Sequence, residues 1–565
     1  MKIIRCIQLF LFLVIFAAGS GSLIAQTRTV GKIYYDDSLA TLAYTLFTPN
    51  QSFKTYLVEN CGLRVHEWNS AFQPGMMAYL RPDGTLLRSG RDWSNGSFSS
   101  NGGNGGYFEI LDWWSQRLWL YKVSDSRHLA HHDFAALPNG NVMVLAWEKF
   151  DFSEAKLAGR DTTTMPDGEI WSEALYELQP IFPDSAKIVW EWHIWDHLVQ
   201  DFNPARNNYG SVGDHPELMD INYLGISQGD ADWLHANTVS YNPDRDEVAV
   251  TFRETSEFIV IDHSTNTATA AGHSGGIRGK GGDILYRWGN PEAYRRGNSG
   301  GQQLFQPHDA HWVDDTLPHG GEFMIFNNGF TRPGGLSTVD FVSPELDSLG
   351  NYVLGSGAFS PDTAQSIFRT LPGDTIDSGL MGGAQMLGNR NLLITQAVHG
   401  RFIEFDSNAT KAWEYINPAM VLSTFVSQGN PVPGNSTSWN NAVFKARKYM
   451  PTYPGLAGRP LPHGLPLENM PWPDSTCITP VGAVPTFETM ANSLFEVYPN
   501  PAQDLVHIRG SVPQKVEWLL FDSWGRVVKT GFFRGIETEI QVGDLPAGMY
   551  ILRLGKAFAR KLIVE

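Results

Sequence analysis

The sequence predicts an all-β protein built from one sheet unit repeated along the chain. Three observations carry this expectation. The 565-residue chain is 42% hydrophobic and 12% aromatic, with 18 Trp and 56 Gly, a mixture that favours strands over helix bundles. Short apolar runs separated by turn residues continue from about Val65 to Tyr415, and helical periodicity is scarce. Two local patterns also alternate along that stretch.

The first pattern is a turn followed by a strand: "AYLRPDGTLLR" from Ala78, "LPNGNVMVLAW" from Leu137, "YNPDRDEVAVTF" from Tyr241, "LPHGGEFMIF" from Leu317 and "MLGNRNLLIT" from Met386. The second is a strand ending in aromatics, at Trp68, Tyr121, Trp192, Trp288 and Tyr415. A β-unit repeated five or six times, with recurring aromatics, predicts a six-bladed β-propeller. Aromatics then fill the space between blades, and the innermost strand of each blade lines a central channel. Because strand side chains alternate, His131 and His132 are expected to face different ways, as are His308 and His311.

The remaining segments follow from composition. Residues 1–25 read as a secretory signal, with Lys2 and Arg5 before a short apolar run. Residues 26–450 are assigned to the propeller, opening with a short β segment at 26–62. Residues 451–492 are Pro-rich and read as a semi-rigid linker that partly drapes over the propeller. Residues 493–565 return to alternating strands and read as a small C-terminal β-sandwich. No later stretch is long and apolar enough to span a bilayer, so the mature chain is expected outside the cytoplasm. The net charge of −17 argues against a nucleic-acid partner. Outside the signal only Cys61 and Cys477 remain. The compartment permits a disulfide between them, although nothing in their spacing calls for one. There is no clustered Cys/His set of the structural-zinc type.

Three histidines each precede a polar turn and an apolar run: His132, His235 and His308. On equivalent inner strands they would converge on one axis, with Arg253 at the end of "VAVTFR". Three imidazoles suit a metal ion. Three imidazoles with a guanidinium also suit a tetrahedral oxyanion, held by charge-assisted hydrogen bonds while one neutral imidazole attacks. A fixed cation favours the anion. An ion pair between Arg253 and an acid such as Glu254 is the plainer role for that residue.

Residues from about Gly31 to Tyr415 resemble the bacterial aryl-sulfate sulfotransferases that work without phosphoadenylyl sulfate. The resemblance rests on "PGMMAYLRPDGTLLRS", "HHDFAALPNGNVMVLAWE", "WEWHIWDHLVQDFNP", "DWLHANTVSYN", "FRETSEFIVID", "RWGNPEAY" and "QPHDAHW". It implies ping-pong transfer of a sulfuryl group from an aryl sulfate to a phenolic acceptor through a sulfohistidine, with no cofactor and no metal. Carried over by motif, it makes His308 the nucleophile and His132, His235 and Arg253 its oxyanion partners. Here Pro307 separates Gln306 from His308, which departs from the family pattern and leaves His311 as a fallback. His197 and His399 are assigned to structure. A non-catalytic surface propeller binding sulfated ligands and a metal-dependent propeller lyase or oxidase are the alternatives. "YPNPA", "LPAGMYILRL" and the terminal "RKLIVE" resemble the type IX secretion (Por-type) sorting domain of Bacteroidetes-type bacteria. That implies the type IX machinery as a partner and export through the periplasm and outer membrane to the surface or beyond.

Overall fold

The computed structural model describes residues 27–98, 102–355, 357–432, 440–472, 477, 495–522, 526–554 and 558–565. The expected signal and much of the Pro-rich stretch lie outside them. The chain divides into two compact units, the larger carrying residues 67–459 and most of the segment before them.

Among the described residues the larger unit is all-β and propeller-like, with six sheets of four or five antiparallel strands. Four sheets take their strands consecutively from the sequence. They begin with the inner strands Pro74–Leu80, His128–Ala136, Ala236–Asn242 and His308–Trp312 and end with the outer strands Arg117–Lys122, Ser185–His193, Tyr286–Trp288 and Ser366–Phe368. A fifth runs from Gly383–Met386 out to Lys411–Ile416 and gains Gly31–Tyr35 at its outer edge. The sixth joins Tyr44–Phe47, Lys54–Glu59 and Arg64–Asn69 to Arg447–Tyr449. The segment before residue 62 therefore adds its strands to two of the sheets instead of forming a separate layer.

Local chemistry explains both repeating patterns. Each turn-then-strand motif is the first hairpin of a sheet. In "RPDGT" and "LPNGN" a proline opens the turn and Gly84 (φ 81°) or Gly140 (φ 87°) takes the left-handed position that a three-residue hairpin loop requires. Arg390 (φ 74°) occupies the corresponding place in "LGNRN". The aromatic-ended strands are outer strands, and their indoles reach the neighbouring sheet. Trp119, Trp192, Trp288 and Trp413 donate Nε1–H to the carbonyls of Ser185, Gly282, Pro361 and Asn60, each at 2.7 Å. A buried indole needs such a partner, so the same side chain fills the gap between sheets and sets their spacing.

Residues 451–459 pack back on the first hairpin, where the Tyr453 hydroxyl donates to Leu80 O (2.7 Å) and Arg459 Nη2 to Asp83 O (2.9 Å). Cys61 and Cys477 are both disulfide-bonded. The smaller unit carries five strands, from Phe495–Tyr498 to Phe558–Val564, around its own core of Val506, Ile508, Trp518, Phe533, Ile540 and Leu552. No helix among the described residues is long and apolar enough to cross a membrane.

Candidate active site

The inner strands do not run straight into the centre of the larger unit. Met76 (φ 101°), His132 (φ 50°), His235 (φ 50°) and Met381 (φ 58°) all adopt positive φ, and all four line one cavity of about 310 Å³. For a non-glycine residue the left-handed conformation costs about 1–2 kcal/mol, and such strain concentrates at functional sites. The ladder register shifts at the same places, opposite residues 131–133, between Pro74 and Ala78, and between Ala236 and Thr238. These bulges re-aim the side chains into the cavity.

All four sequence-predicted residues, His132, His235, Arg253 and His308, line this cavity. The equivalence of the three histidines is partial. His132 and His235 share their backbone geometry and their rings lie 4.7 Å apart at 71°. His308 opens its own strand, and the positive φ falls instead on Gln306 and Asp309. The bulge also changes the relation of His131 to His132. Their Nδ1 atoms come within 2.9 Å of each other, but only His132 lines the cavity, while His131 Nε2 turns away to Glu173 Oε2 at 2.9 Å. His131 stacks on Trp147 at 4.0 Å and is absent from the cavity lining. His311 lines a separate cavity with Asp309 and Arg447.

Hydrogen bonds fix the state of His308. The Asn328 amide donates through Nδ2 to the carbonyls of Ser378 and Met381 (2.6 Å to the latter). Its Oδ1 is therefore the end that faces His308 Nδ1, at 2.8 Å. That bond requires the proton on Nδ1 and leaves the lone pair on Nε2. Burial, followed by the charge of Arg253, holds His308 down to about 3 despite the Asn328 bond, so the ring is neutral at physiological pH. His132 is also pushed well below the ordinary range, by burial and then by His235. Burial would lower His235 too, but the Asp232 carboxylate bonded to its Nδ1 overrides it and raises that group. Arg253 pairs with Glu254 and donates Nη2–H to Gln306 Oε1 at 3.2 Å. The plainer ion-pair role is thus present together with the cavity position. Neutral His308 and His132 consequently share one space with the Arg253 guanidinium and with His235, whose affinity for a proton Asp232 raises.

Several contributors escaped sequence reasoning. Asn328 follows an unremarkable strand. Gly103 (φ 93°) sits so close to His132 that an added Cβ would lie 2.0 Å from its Cε1. Phe444 packs between the rings of His132 (5.9 Å) and His308 (6.2 Å). Beneath them Lys445, 1% exposed, bridges Asp133 Oδ2 (2.6 Å) and Asp309 Oδ1 (2.9 Å), each the residue after a cavity histidine. Phe444 and Lys445 lie beyond Tyr415, where the repeating patterns end. His197 is fully buried between Asp283 and the Ala270 carbonyl. His399 contributes its carbonyl to Asn441.

Fold and cavity together define an all-β, repeated-sheet protein with a buried histidine–arginine site suited to a small oxyanion. Residues 91–341 match the model of the Arylsulfotransferase (ASST) family, and that span contains His132, His235, Arg253 and His308. Residues 496–565 match the Secretion system C-terminal sorting domain. The chain thus carries an arylsulfotransferase-family region, which supports aryl sulfotransferase activity in general, and a tail that directs export by type IX secretion to the cell surface or outside. No curated protein matches the sequence. Among solved structures, a protein of unknown function from Bacteroides caccae is similar at 9% identity and a TM-score of 0.38, over 72% of this chain and 99% of that one. The periplasmic gluconolactonase PpgL of Pseudomonas aeruginosa is similar at 11% identity and a TM-score of 0.34, over 93% of this chain and 100% of that one. A streptogramin B lyase follows at 10% identity and a TM-score of 0.31, over 70% and 84%. At these scores the likeness extends to no functional feature.

Proposed function

We propose that the protein is an exported six-bladed propeller enzyme, followed by a small sorting sandwich, that moves a sulfuryl group from an aryl sulfate to a phenol. The observation that carries the reading is the Asn328–His308 bond. It presents a neutral imidazole with its lone pair on Nε2 in a cavity that also holds Arg253, His132 and His235. His308 Nε2 attacks sulfur in line with the aryl oxygen; the N–S bond forms as the S–O bond breaks, and phenolate leaves. Arg253, His235 and His132 hold the sulfuryl oxygens and offset the charge that builds on them. An entering phenol loses its proton and attacks sulfur, the S–N bond breaks, and His308 is restored. The proton lost by the acceptor replaces the one taken up by the departing phenolate, so the exchange is proton-neutral overall.

Two features disfavour a metal on the same histidines. A guanidinium shares their cavity, and among the described residues the one group of His, Cys, Asp or Glu whose ligand atoms converge lies elsewhere. The test is transfer from 4-nitrophenyl sulfate to phenol by the purified protein, with and without chelator. We expect phenol-dependent transfer that survives chelation, and a sulfated His308 on mass mapping when acceptor is withheld. A His308→Ala variant that retains full transfer would refute the assignment, and would direct attention to His311.

A further inference from the structure

Away from the cavity, three side chains from separate stretches meet. His197 follows the short 3₁₀ turn Ile194–Asp196 after the outer strand Ser185–His193. His273 lies just beyond the helical turn Thr267–Ala270, and Asp283 shortly before the strand Tyr286–Trp288. We propose that His197, His273 and Asp283 form a structural site for a divalent transition-metal ion, with zinc the best match.

The geometry has three parts. First, one ligand atom from each residue lies within 4.8 Å of the others. His197 Nδ1 is 2.8 Å and His273 Nδ1 2.7 Å from the same oxygen, Asp283 Oδ1. The two rings stand at 89°, their centroids 5.6 Å apart, so both direct a nitrogen at one point from different sides. A tetrahedral zinc ion with bonds of about 2.0–2.2 Å keeps its donor atoms about 3.3–3.5 Å apart, so binding opens both contacts by about half an ångström, through shifts of the Asp283 carboxylate and the exposed His273.

Second, the far nitrogen of His197 is committed. His197 Nε2 lies 2.8 Å from the Ala270 carbonyl, which only accepts, so Nε2 carries a proton. Nδ1 is thereby the nitrogen left to face Asp283 Oδ1. Metal-ligating histidines characteristically give their other N–H to a backbone carbonyl or carboxylate in this way. Third, the surroundings hold the ligand rigidly. His197 and Asp283 are buried, with side-chain exposures of 0% and 8%, and Trp192 stacks on the His197 ring at 11°. An added Cβ on Gly282 would lie 1.9 Å from Ala270 O and 2.8 Å from His197 Nε2. His273, with 59% side-chain exposure, leaves the fourth tetrahedral position to water. Two imidazoles and a carboxylate are a donor set of borderline softness, suited to zinc in preference to calcium or magnesium. Bound metal would fasten the loop after residue 270 to the end of the neighbouring sheet, independently of sulfuryl transfer.

The experiment uses the full chain, stripped with chelator and dialysed against zinc chloride at micromolar concentration, with metal counted by mass spectrometry. We expect one more zinc per chain in the wild type than in His273→Ala, whose exposed side chain leaves the fold intact. Asp283→Asn serves as a second variant. Zinc should raise the melting temperature of the wild type only, and cobalt should give a tetrahedral visible spectrum that His273→Ala lacks. Equal zinc in wild type and His273→Ala overturns the proposal. So does a wild type that takes up none, which would leave a plain histidine–carboxylate hydrogen-bond cluster at this place.

Discussion

Replacing Asn328 separates the chemistry of His308 from its packing. In Asn328→Ala the His308 Nδ1–H loses its acceptor, and the carbonyls of Ser378 and Met381 lose a donor. The bond to Nδ1–H contributes about 1 kcal/mol net, so the ratio of the Nε2 lone-pair tautomer to the other falls about fivefold. The ring also gains freedom beside the space left by the amide, and a misplacement of about 1 Å adds up to ~10²-fold. We expect kcat lower by ~10²–10³-fold with KM for the donor nearly unchanged, because the lost interaction acts on the attacking atom. The orphaned buried groups cost about 2–4 kcal/mol of stability. Asn328→Asp restores an acceptor for Nδ1–H but turns a carboxylate oxygen toward two carbonyls. It should therefore be as destabilised as the alanine variant while keeping far more activity. The assay is the first-turnover release of 4-nitrophenolate without acceptor, run beside thermal melts. A folded Asn328→Ala protein with wild-type first-turnover rate would refute the tautomer argument, as would an aspartate variant no more active than the alanine one.

The pH profile gives an independent check. With His308 held to about 3, first-turnover transfer should stay level from pH 7 to about 4. It should fall at alkaline pH once His235, raised by Asp232, loses its proton; an acid limb near pH 6.5 would contradict this. Stability has the opposite acid behaviour: unfolded His308 takes up a proton below about 6.5 and folded His308 only near 3, so chemical denaturation should become easier as pH falls through that window. Gly103→Ala places a Cβ against the His132 ring and should reduce transfer by at least tenfold while the melting temperature changes less than in core variants. Lys445→Met leaves Asp133 and Asp309 without their shared cation and should cost about 3–5 kcal/mol, read by denaturant unfolding; a neutral outcome would show that Arg447 alone satisfies Asp309.

The repeat was legible because hairpins and inter-sheet contacts depend on local chemistry. A proline with a left-handed glycine marks two of the first turns, and an indole whose N–H finds a carbonyl marks four of the outer strands. The four cavity residues were legible for the same reason, each lying beside a turn or strand end. Alternation separated His131 from His132, but the close approach of their Nδ1 atoms comes from a bulge with His132 at positive φ, which one sequence does not display.

What the sequence determined by itself was the all-β repeat and the export tail, both properties of contiguous residues; it also singled out His132, His235, Arg253 and His308, which the structure brings to one cavity. Tertiary structure decided which nitrogen of His308 is free, through Asn328 twenty residues away, and what lies beneath the histidines, through Phe444 and Lys445. It also brought His197, His273 and Asp283 together from separate segments. Hydrogen-bond direction and burial depend on neighbours that only folding supplies, and these leave His308 neutral with Nε2 as its free nitrogen.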